Sequence, residues 1–575
     1  MKPTGNAIIH PASPCKPLTK TKPDPGTRRF LRNIIRLGAM TGLLIMSTSY
    51  QSHKNELILL ENEFYLPAFA DHMKNLFQMH SGDYSIDIRS AHIKTAPCVG
   101  EFYASRYYKP AWTTRTAGNK QALILLDLLN NAERFGLKSS LFPVREIRRE
   151  LDRMKDGELK MNYLETRINA ELLLSDACMQ FMVYLSKGYQ VFDSSLFAMP
   201  AVSELPYELQ KAISDHDFEK RVLSVQPDFA EYRNLQKALE IFLTATRRSN
   251  ARITIPDPSE DSVLFRDVAQ NILISLGYLQ TRLIHSEFTG ALKKFQYYHG
   301  LEPDGIPGRK TCQALAQTTE EKFRQIALNL DRLRKENIQA EQFIAVNIPA
   351  YRLRIFKGNQ IMCNTKVIVG SVETPTPLIN GKIERIITNP YWQVPRSISL
   401  REILPKLKSD SDYLSRNRLR LLDENRNTVS YKQVDWNSVS AETFDYRIRQ
   451  DAGADNALGL IKFDFPNPYS VYLHDTPGKQ SFSREERALS HGCVRVQDPG
   501  LLADYLVREF SPQYKGPDVS GMMAHGMHRE ISLDQPVAIY IRYLTCEADE
   551  NCNIFFYNDV YGRDKKELKS LDFLL

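Results

Sequence analysis

Cysteine is scarce in this chain of 575 residues, which contains only 8 of them. Such scattered cysteines exclude a disulfide-rich scaffold, and none shows the paired C-x-x-C spacing of a zinc site. Only Cys546 and Cys552 lie close together, on either side of an acidic turn. In an oxidising compartment these two are candidates for a disulfide across a hairpin.

A strong excess of charge is also lacking. The 75 basic and 68 acidic residues leave a formal net charge of +7, which is small for this length and gives little support to nucleic-acid binding. We therefore expect no nucleic-acid partner. The composition, 42% hydrophobic and 25% charged, is that of folded globular protein, and the length predicts roughly three to five domains.

Long apolar runs are absent after residue 55, so the rest of the chain is expected on one side of any membrane. An apolar stretch at 37–46 follows four arginines, Arg28, Arg29, Arg32 and Arg36. This order is typical of a signal peptide or of an uncleaved anchor in the inner membrane. We predict that residues 1–55 form a basic, Pro-rich tail with an export segment; the alternative is a buried amphipathic helix.

Hydrophobic periodicity indicates two helical regions after this segment. Residues 56–253 carry leucines at helical spacing, such as Leu123, Leu126 and Leu129, and are predicted to form a helical domain. After a Pro-rich break, residues 258–320 contain three short helical segments joined by Gly-rich turns, which predicts a second, smaller helical domain.

From Phe343 onward the sequence changes to short runs of β-branched and aromatic residues that alternate with polar ones. Turn signals between the runs predict hairpins, and hence an antiparallel β-rich domain over 340–545. Within it the polar, charged segment 401–446 breaks the strand pattern and is interpreted as an insertion that forms a lid. Residues 546–575 remain as a C-terminal extension, and the predicted fold class is a multidomain α+β protein.

One short stretch brings together residue types that suit nucleophilic catalysis. His474 follows a strand pattern, and His491 and Cys493 come within one loop length of it. A thiol needs a base to take its proton, and a nearby His is expected to lower the thiol pKa. Taken alone, Cys493 could equally be a small buried hydrophobe, or these three residues could bind a metal.

Two motifs resemble known families. Residues 295–305 contain Phe295, Gln296, Gly300, Leu301, Asp304 and Gly305 in the spacing of the peptidoglycan-binding module. Ser490-His-Gly-Cys493 with the upstream His474 resembles the signature of the L,D-transpeptidase catalytic domain.

Further segments agree with that catalytic domain: Val369-Gly370 with Thr376-Pro377, 389–395, 449–459 and 465–468. The helical region, with Phe102-Tyr103, 110–112 and Gly136-Leu137, is similar to the scaffold domain of the large Gram-negative enzymes of this family.

The resemblance implies roles at the nucleophile. Cys493 matches the nucleophile and His474 the general base, while the backbone amides of Gly492 and Cys493 are the expected oxyanion donors. His491 is expected to be structural or a proton relay, and Ser490 its orienter or a hydrogen-bond donor of the site.

Three further residues are candidates for substrate binding. Arg495 could hold the carboxylate of diaminopimelate through a bidentate contact, or could be an ordinary salt-bridge partner. Tyr472 and Trp392 could line the groove for the acyl donor, or could be core aromatics.

The reaction implied is acyl transfer through a thioester, which forms 3–3 cross-links between peptidoglycan stem peptides and needs no metal or organic cofactor. The expected partners are stem peptides, the cell-wall glycan, peptidoglycan synthases and, if the export segment is uncleaved, the inner membrane. The expected location is the periplasm. Alternatives are attachment of lipoprotein to peptidoglycan, L,D-carboxypeptidase activity, and a non-catalytic wall-binding scaffold.

Overall fold

The computed structural model describes residues 65–89, 91–155, 162–189, 194–197, 199–246, 249–281, 285–336 and 338–570. The predicted export segment lies outside these ranges. The chain divides into two compact units, Met1–Lys74 and Asn75–Leu575, and the first contributes only the start of helix α1 to the described residues. No helix within the described ranges is both long and apolar enough to span a bilayer.

The N-terminal part is helical, as predicted. A short hairpin, β1 (Ile86–Ile88) and β2 (Ala91–Ile93), accompanies ten helices: α1 (Leu66–Met79), α2 (Ala96–Ser105), α3 (Lys120–Asn130), α4 (Val144–Lys155), α5 (Tyr163–Lys187), α6 (Ser194–Phe197), α7 (Pro200–Ser203), α8 (Leu205–Ser214), α9 (Phe218–Leu223) and α10 (Ala230–Ala245). Helix α5 is buried over most of its length and around its circumference, which makes it the central element of this region.

Three helices follow: α11 (Ser262–Ser275), α12 (His285–Tyr298) and α13 (Arg309–Ala316). The Gln296 side chain holds the turn after α12, because its Nε2 donates to Asp304 Oδ1 at 3.0 Å and its Oε1 accepts from the Gly305 amide at 2.8 Å. The polar positions of the sequence motif are therefore turn-forming. Helix α14 (Thr319–Lys335) then leads to the sheet, and a capping box of Thr318 and Glu321 starts it.

The β-rich domain opens with four strands: β3 (Gln342–Asn347), β4 (Arg352–Lys357), β5 (Gln360–Gly370) and β6 (Ile379–Thr388). The β3–β4 and β4–β5 pairs are antiparallel, so both predicted hairpins are confirmed.

The insertion is a small folded unit. It contains β7 (Trp392–Gln393), α15 (Arg396–Ile398), a π-helical turn (Ser399–Ile403), α16 (Leu404–Ser409), α17 (Tyr413–Arg416), β8 (Leu419–Leu422), β9 (Thr428–Val429) and β10 (Arg447–Gln450). The strands form a sheet in the order β7-β10-β8-β9. Its own apolar core includes Leu407, Leu421, Trp436 and Phe444. The folded unit thus extends on both sides of the polar segment 401–446.

The main sheet is completed by β11 (Ile461–Asp464), β12 (Leu473–His474), β13 (Ala488–Ser490), β14 (Val494–Val496) and β15 (Arg529–Arg542), with helices α18 (Pro499–Phe510) and α19 (Val519–Ala524) between the last two. Its order is β13-β5-β14-β12-β11-β6-β15-β3-β4, and β4 also pairs with β5. Three pairs, β12–β14, β13–β5 and β15–β3, are parallel. The α+β class is confirmed, with a mixed sheet.

The C-terminal extension folds as a hairpin, β16 (Cys546–Ala548) and β17 (Ile554–Phe556), followed by α20 (Arg563–Ser570). Cys546 pairs with Phe556 across this hairpin, and Cys546 and Cys552 are both free thiols. The candidate disulfide between them is therefore not formed in this structure, where the register places Phe556 opposite Cys546. The extension is held to α14, where Arg332 forms an ion pair with Asp564 at 2.8 Å.

Candidate active site

The candidate nucleophile lies in the loop between β13 and β14. Gly492 has a φ of +114°, a conformation that residues with a Cβ rarely adopt. The Ser490 hydroxyl closes the loop by donating to the Cys493 carbonyl oxygen at 2.5 Å, and it accepts from the Gly492 amide at 3.2 Å. Ser490 is thus a structural clamp of the loop.

The hydrogen bonds of Ser490 reduce the set of amides that can bind an oxyanion. The Gly492 amide, predicted as a donor, is already engaged by Ser490. The Cys493 amide donates no hydrogen bond to any residue that the structure describes. Of the two predicted donors, only the Cys493 amide is free to bind a developing oxyanion.

The thiol of Cys493 is partly buried against β12 and the residues before it. Its Sγ lies 3.9 Å from the Ser470 carbonyl oxygen and interacts with Tyr472. Burial raises the thiol pKa above its ordinary value. Hydrogen bonds with Tyr472, and then the charges of Lys462 and Arg495, oppose this shift only in part. The expectation of a lowered thiol pKa is wrong, because desolvation of the thiolate outweighs these contributions.

His474 is buried and carries its proton on one identifiable nitrogen. Its Nδ1 lies 2.5 Å from the Asp475 carbonyl oxygen, which can only accept, so Nδ1 is the protonated nitrogen and Nε2 is the basic one. The ring also interacts with the Leu458 backbone. Burial, and then the charge of Arg495, lowers the pKa of His474 to about 3. The ring therefore starts neutral, as a general base requires.

The His474 backbone is held by its neighbour Asp475. The Asp475 carboxylate accepts from the Leu460 amide at 2.9 Å and forms an ion pair with Lys479 at 2.6 Å. The described residues show no hydrogen bond between the thiol and the imidazole. Both groups contact Tyr472, whose ring centroid lies 5.7 Å from that of His474. Catalytic hydrogen bonds commonly tighten only when substrate binds.

The two predicted groove aromatics meet at the thiol. The Tyr472 hydroxyl interacts with both Trp392 and Cys493, and both rings are partly exposed. Lys462 lies over the Tyr472 ring, with Nζ 4.4 Å from the ring centroid. Sequence reasoning missed Lys462. Successive side chains of a strand point to opposite faces of the sheet, so the polar Lys462 between Ile461 and Phe463 could have indicated a residue on the other face.

Arg495 adds a positive charge that forms no ion pair with any acidic residue in the described part of the chain. The β12–β14 register pairs it with His474, and its buried Nε has no hydrogen-bond partner among the described residues. Burial lowers the pKa of this guanidinium, and the Cys493 thiolate would raise it. A buried, unpaired donor of this kind favours an anionic ligand.

The His491 side chain contacts the insertion. The side chain is 52% exposed, and Nε2 lies 2.7 Å from Oε1 of Glu402. The contact supports the structural alternative for His491. Sequence reasoning did not find Glu402, because nothing in the pattern of 401–446 relates it to the nucleophile loop.

Together these groups can perform nucleophilic acyl transfer. The site supplies a thiol, a neutral imidazole, a backbone amide that donates to no described residue, and a guanidinium whose Nε has no partner among those residues. In covalent catalysis these four groups can serve, in the same order, as nucleophile, base, oxyanion donor and substrate anchor.

Comparison with known proteins gives three matches to family models. The model described as "L,D-transpeptidase catalytic domain" matches residues 341–516, the "Scaffold domain" matches 97–239, and the "Putative peptidoglycan binding domain" matches 266–315.

A curated protein of Haemophilus influenzae named "Putative L,D-transpeptidase" is 35% identical over 263 residues, which are 45% of this chain and 53% of that protein. The chain therefore spans about half the length of this curated relative. A crystal structure of an L,D-transpeptidase (Yku) from Stackebrandtia nassauensis is 14% identical, with a TM-score of 0.20, and covers 48% of this chain and 90% of that chain.

Proposed function

We propose that this chain, whose residues 341–516 match the L,D-transpeptidase catalytic domain, cross-links peptidoglycan stem peptides through a thioester on Cys493. One observation carries the proposal: a neutral His474 and the Cys493 thiol both contact Tyr472, and the Cys493 amide donates to no described residue. The 3–3 cross-link is the product that we assign, from a tetrapeptide donor and the side-chain amine of an acceptor.

In the first half-reaction, His474 Nε2 takes the thiol proton and Cys493 Sγ attacks the carbonyl on the L-centre of diaminopimelate. The oxyanion that forms accepts a hydrogen bond from the Cys493 amide. As the tetrahedral intermediate collapses, the bond to the terminal D-alanine breaks, and the imidazolium returns its proton to the departing amine. The product is a thioester on Cys493.

In the second half-reaction, the side-chain amine of a neighbouring diaminopimelate attacks the thioester carbonyl. His474 removes the amine proton, the carbon–sulfur bond breaks, and the thiolate recovers that proton. Since both pKa shifts disfavour a resting thiolate–imidazolium pair, proton transfer occurs in concert with attack.

Arg495 supports the donor assignment. Its free guanidinium beside Cys493 and His474 matches the carboxylate that diaminopimelate carries next to the reacting centre. Tyr472 and Trp392 form the wall against which the donor stem lies.

The catalytic and peptidoglycan-binding domains make peptidoglycan the partner and associate the protein with the cell wall. We extend this to export into the periplasm, on the basis of the arginines and apolar stretch between residues 28 and 46. An alkaline phosphatase fusion after residue 60 should be active, and a cytoplasmic reporter at the same point should be inactive. The reverse pattern would contradict the periplasmic location.

Mass spectrometry of the products tests the function. Purified protein is incubated with disaccharide tetrapeptide, and Cys493→Ala serves as the matched control. Cross-linked dimers with release of D-alanine are expected from the wild-type protein alone. Tripeptide without dimer would indicate a carboxypeptidase, and unchanged tetrapeptide would indicate a non-catalytic scaffold or a different acyl donor.

A further inference from the structure

Tyr561 lies in the C-terminal extension, beyond the matched catalytic domain at 341–516, yet its hydroxyl reaches the framework of the nucleophile loop. It donates to the Gly370 carbonyl oxygen at 2.6 Å and accepts from the Thr376 amide at 3.2 Å. One hydroxyl thus bridges both ends of the turn that follows β5. None of the roles assigned above uses this residue.

The turn between Gly370 and Thr376 is tight. A Cβ on Gly370 would lie 2.2 Å from the Thr374 carbonyl oxygen, a distance that only glycine permits. The Thr376 hydroxyl then accepts from the Gly370 amide at 2.8 Å and donates to the Gly492 carbonyl oxygen at 2.8 Å. The hydrogen bonds therefore run from Tyr561 through Thr376 to Gly492.

The last bond of this series has a consequence for the next residue. The Gly492 carbonyl and the Cys493 amide belong to one peptide unit, which is planar and trans. A hydrogen bond that fixes the direction of the carbonyl also fixes the direction of the N–H on the opposite side of that plane. This N–H is the amide left free at the site.

The extension itself is firmly held. The Tyr561 amide donates to the Tyr543 hydroxyl at 2.7 Å, and that hydroxyl donates to Asp559 Oδ1 at 2.6 Å. The two tyrosine rings stack with centroids 5.8 Å apart. Tyr561 is thus placed by a connected set of contacts, so its hydroxyl can act as a fixed support.

We propose that Tyr561 is a positioning residue that, through Thr376 and the Gly492 carbonyl, aims the Cys493 amide at the oxyanion. The inference rests on the proposed function, since it assigns a support to the oxyanion donor of that reaction. It also makes the C-terminal extension a part of the working active site.

Two reagents separate positioning from general damage. A carbapenem acylates Cys493 through an oxyanion, whereas iodoacetamide alkylates the same sulfur by displacement at a saturated carbon and forms no oxyanion. In Tyr561→Phe the acylation rate should fall by about tenfold to a hundredfold, because a displaced donor loses much of its effect. Alkylation should stay within about twofold of the wild-type rate.

Matched variants sharpen the test. Tyr557→Phe removes another hydroxyl of the same extension, one that donates to Glu547 at 3.2 Å, and should acylate normally. Thr376→Val should reproduce the effect of Tyr561→Phe, and Thr376→Ser, which keeps the hydroxyl, should recover most of the rate.

Acylation of Tyr561→Phe at the wild-type rate, or an equal loss of acylation and alkylation, would overturn the positioning role. Thr376→Val acylating like the wild type would overturn it as well, even if Tyr561→Phe proved too unstable to assay. Failure of the proposed function looks different: wild-type protein would be alkylated at Cys493 but never acylated by the carbapenem.

Discussion

Nε2 of His491 lies 2.7 Å from Oε1 of Glu402, so the loop that carries the nucleophile contacts the insertion directly. His491 is two residues from Cys493, and Glu402 lies in the π-helical turn at the start of the insertion. The insertion has its own core, and this contact joins it to the loop. This geometry suits a lid that shields the thioester from water.

The lid role predicts a change in product partition. Glu402→Gln replaces the carboxylate that contacts His491, and an exposed polar contact of this kind contributes about 0.2–1 kcal/mol. We expect the ratio of hydrolysed to cross-linked stem peptide to rise by roughly two- to fivefold, while carbapenem acylation stays unchanged. Glu424→Gln, an exposed site on the same insertion, is the control. An unchanged ratio would show that this contact does not protect the thioester from hydrolysis.

Cys493→Ala should abolish turnover and leave the fold nearly intact, because the thiol supplies chemistry and little packing. We expect no detectable cross-linked product and a change in unfolding free energy below about 1 kcal/mol. Cys363→Ala, which truncates a partly buried cysteine of the main sheet, should keep full activity. Substantial turnover by Cys493→Ala would disprove the nucleophile assignment.

The raised pKa of the Cys493 thiol predicts its pH profile. A thiol whose pKa lies above the ordinary value of 9.0 is protonated at neutral pH, so its alkylation by iodoacetamide should still be accelerating at pH 9. Arg495→Gln removes a cation that favours the thiolate and should shift the profile to still higher pH. A rate that reaches a plateau below pH 8 would show instead a thiolate stabilised by the site.

The lowered pKa of His474, about 3, predicts loss of stability in acid. In the unfolded chain a His titrates near 6.5, so between pH 6.5 and 3 the unfolded state binds the extra proton and stability falls as the pH falls. At pH 4.5, two pH units below the unfolded pKa, the loss should be about 3 kcal/mol at most. His474→Gln should lose less stability than the wild type between pH 7 and 4.5, as measured by urea unfolding; an equal loss in both proteins would contradict the assignment.

Arg495 should act through the carboxylate of the donor. Arg495→Gln is expected to raise KM for the tetrapeptide by about tenfold or more, since a charge-assisted bidentate contact is lost. A donor whose diaminopimelate carboxylate is amidated should bind the wild-type protein as poorly, and Arg495→Gln should no longer distinguish the two donors. Equal discrimination by both proteins would mean that Arg495 is an ordinary structural cation.

The hairpins of the main sheet could be predicted because their signals are local. Alternating residues around Tyr351 and the turn at Gly358 specify β3, β4 and β5 within a few residues. The core of the insertion could not be predicted in the same way. Its apolar residues, such as Leu407 and Trp436, come from short elements separated by charged turns, so no periodic pattern marks them.

A sequence motif identified the reactive residues, but it did not predict the pKa of the thiol. Sequence proximity of His474 and Cys493 predicted a lowered thiol pKa, whereas burial raises it. The degree of burial depends on how the sheet packs around the loop, which no local pattern expresses. The engagement of the Gly492 amide by Ser490 depends likewise on the conformation of the loop.

The sequence by itself determined which residues carry the chemistry, because nucleophile and base are recognised by type and by spacing along one strand and loop. The tertiary structure alone decided what surrounds them: Lys462 from the neighbouring strand, Glu402 from the insertion and Tyr561 from the C-terminal extension. Along the chain, Lys462 lies 10 residues from Tyr472, Glu402 lies 89 from His491, and Tyr561 lies 191 from Gly370. Only the packing of distant segments into one sheet and its attachments brings such groups within hydrogen-bond or charge range.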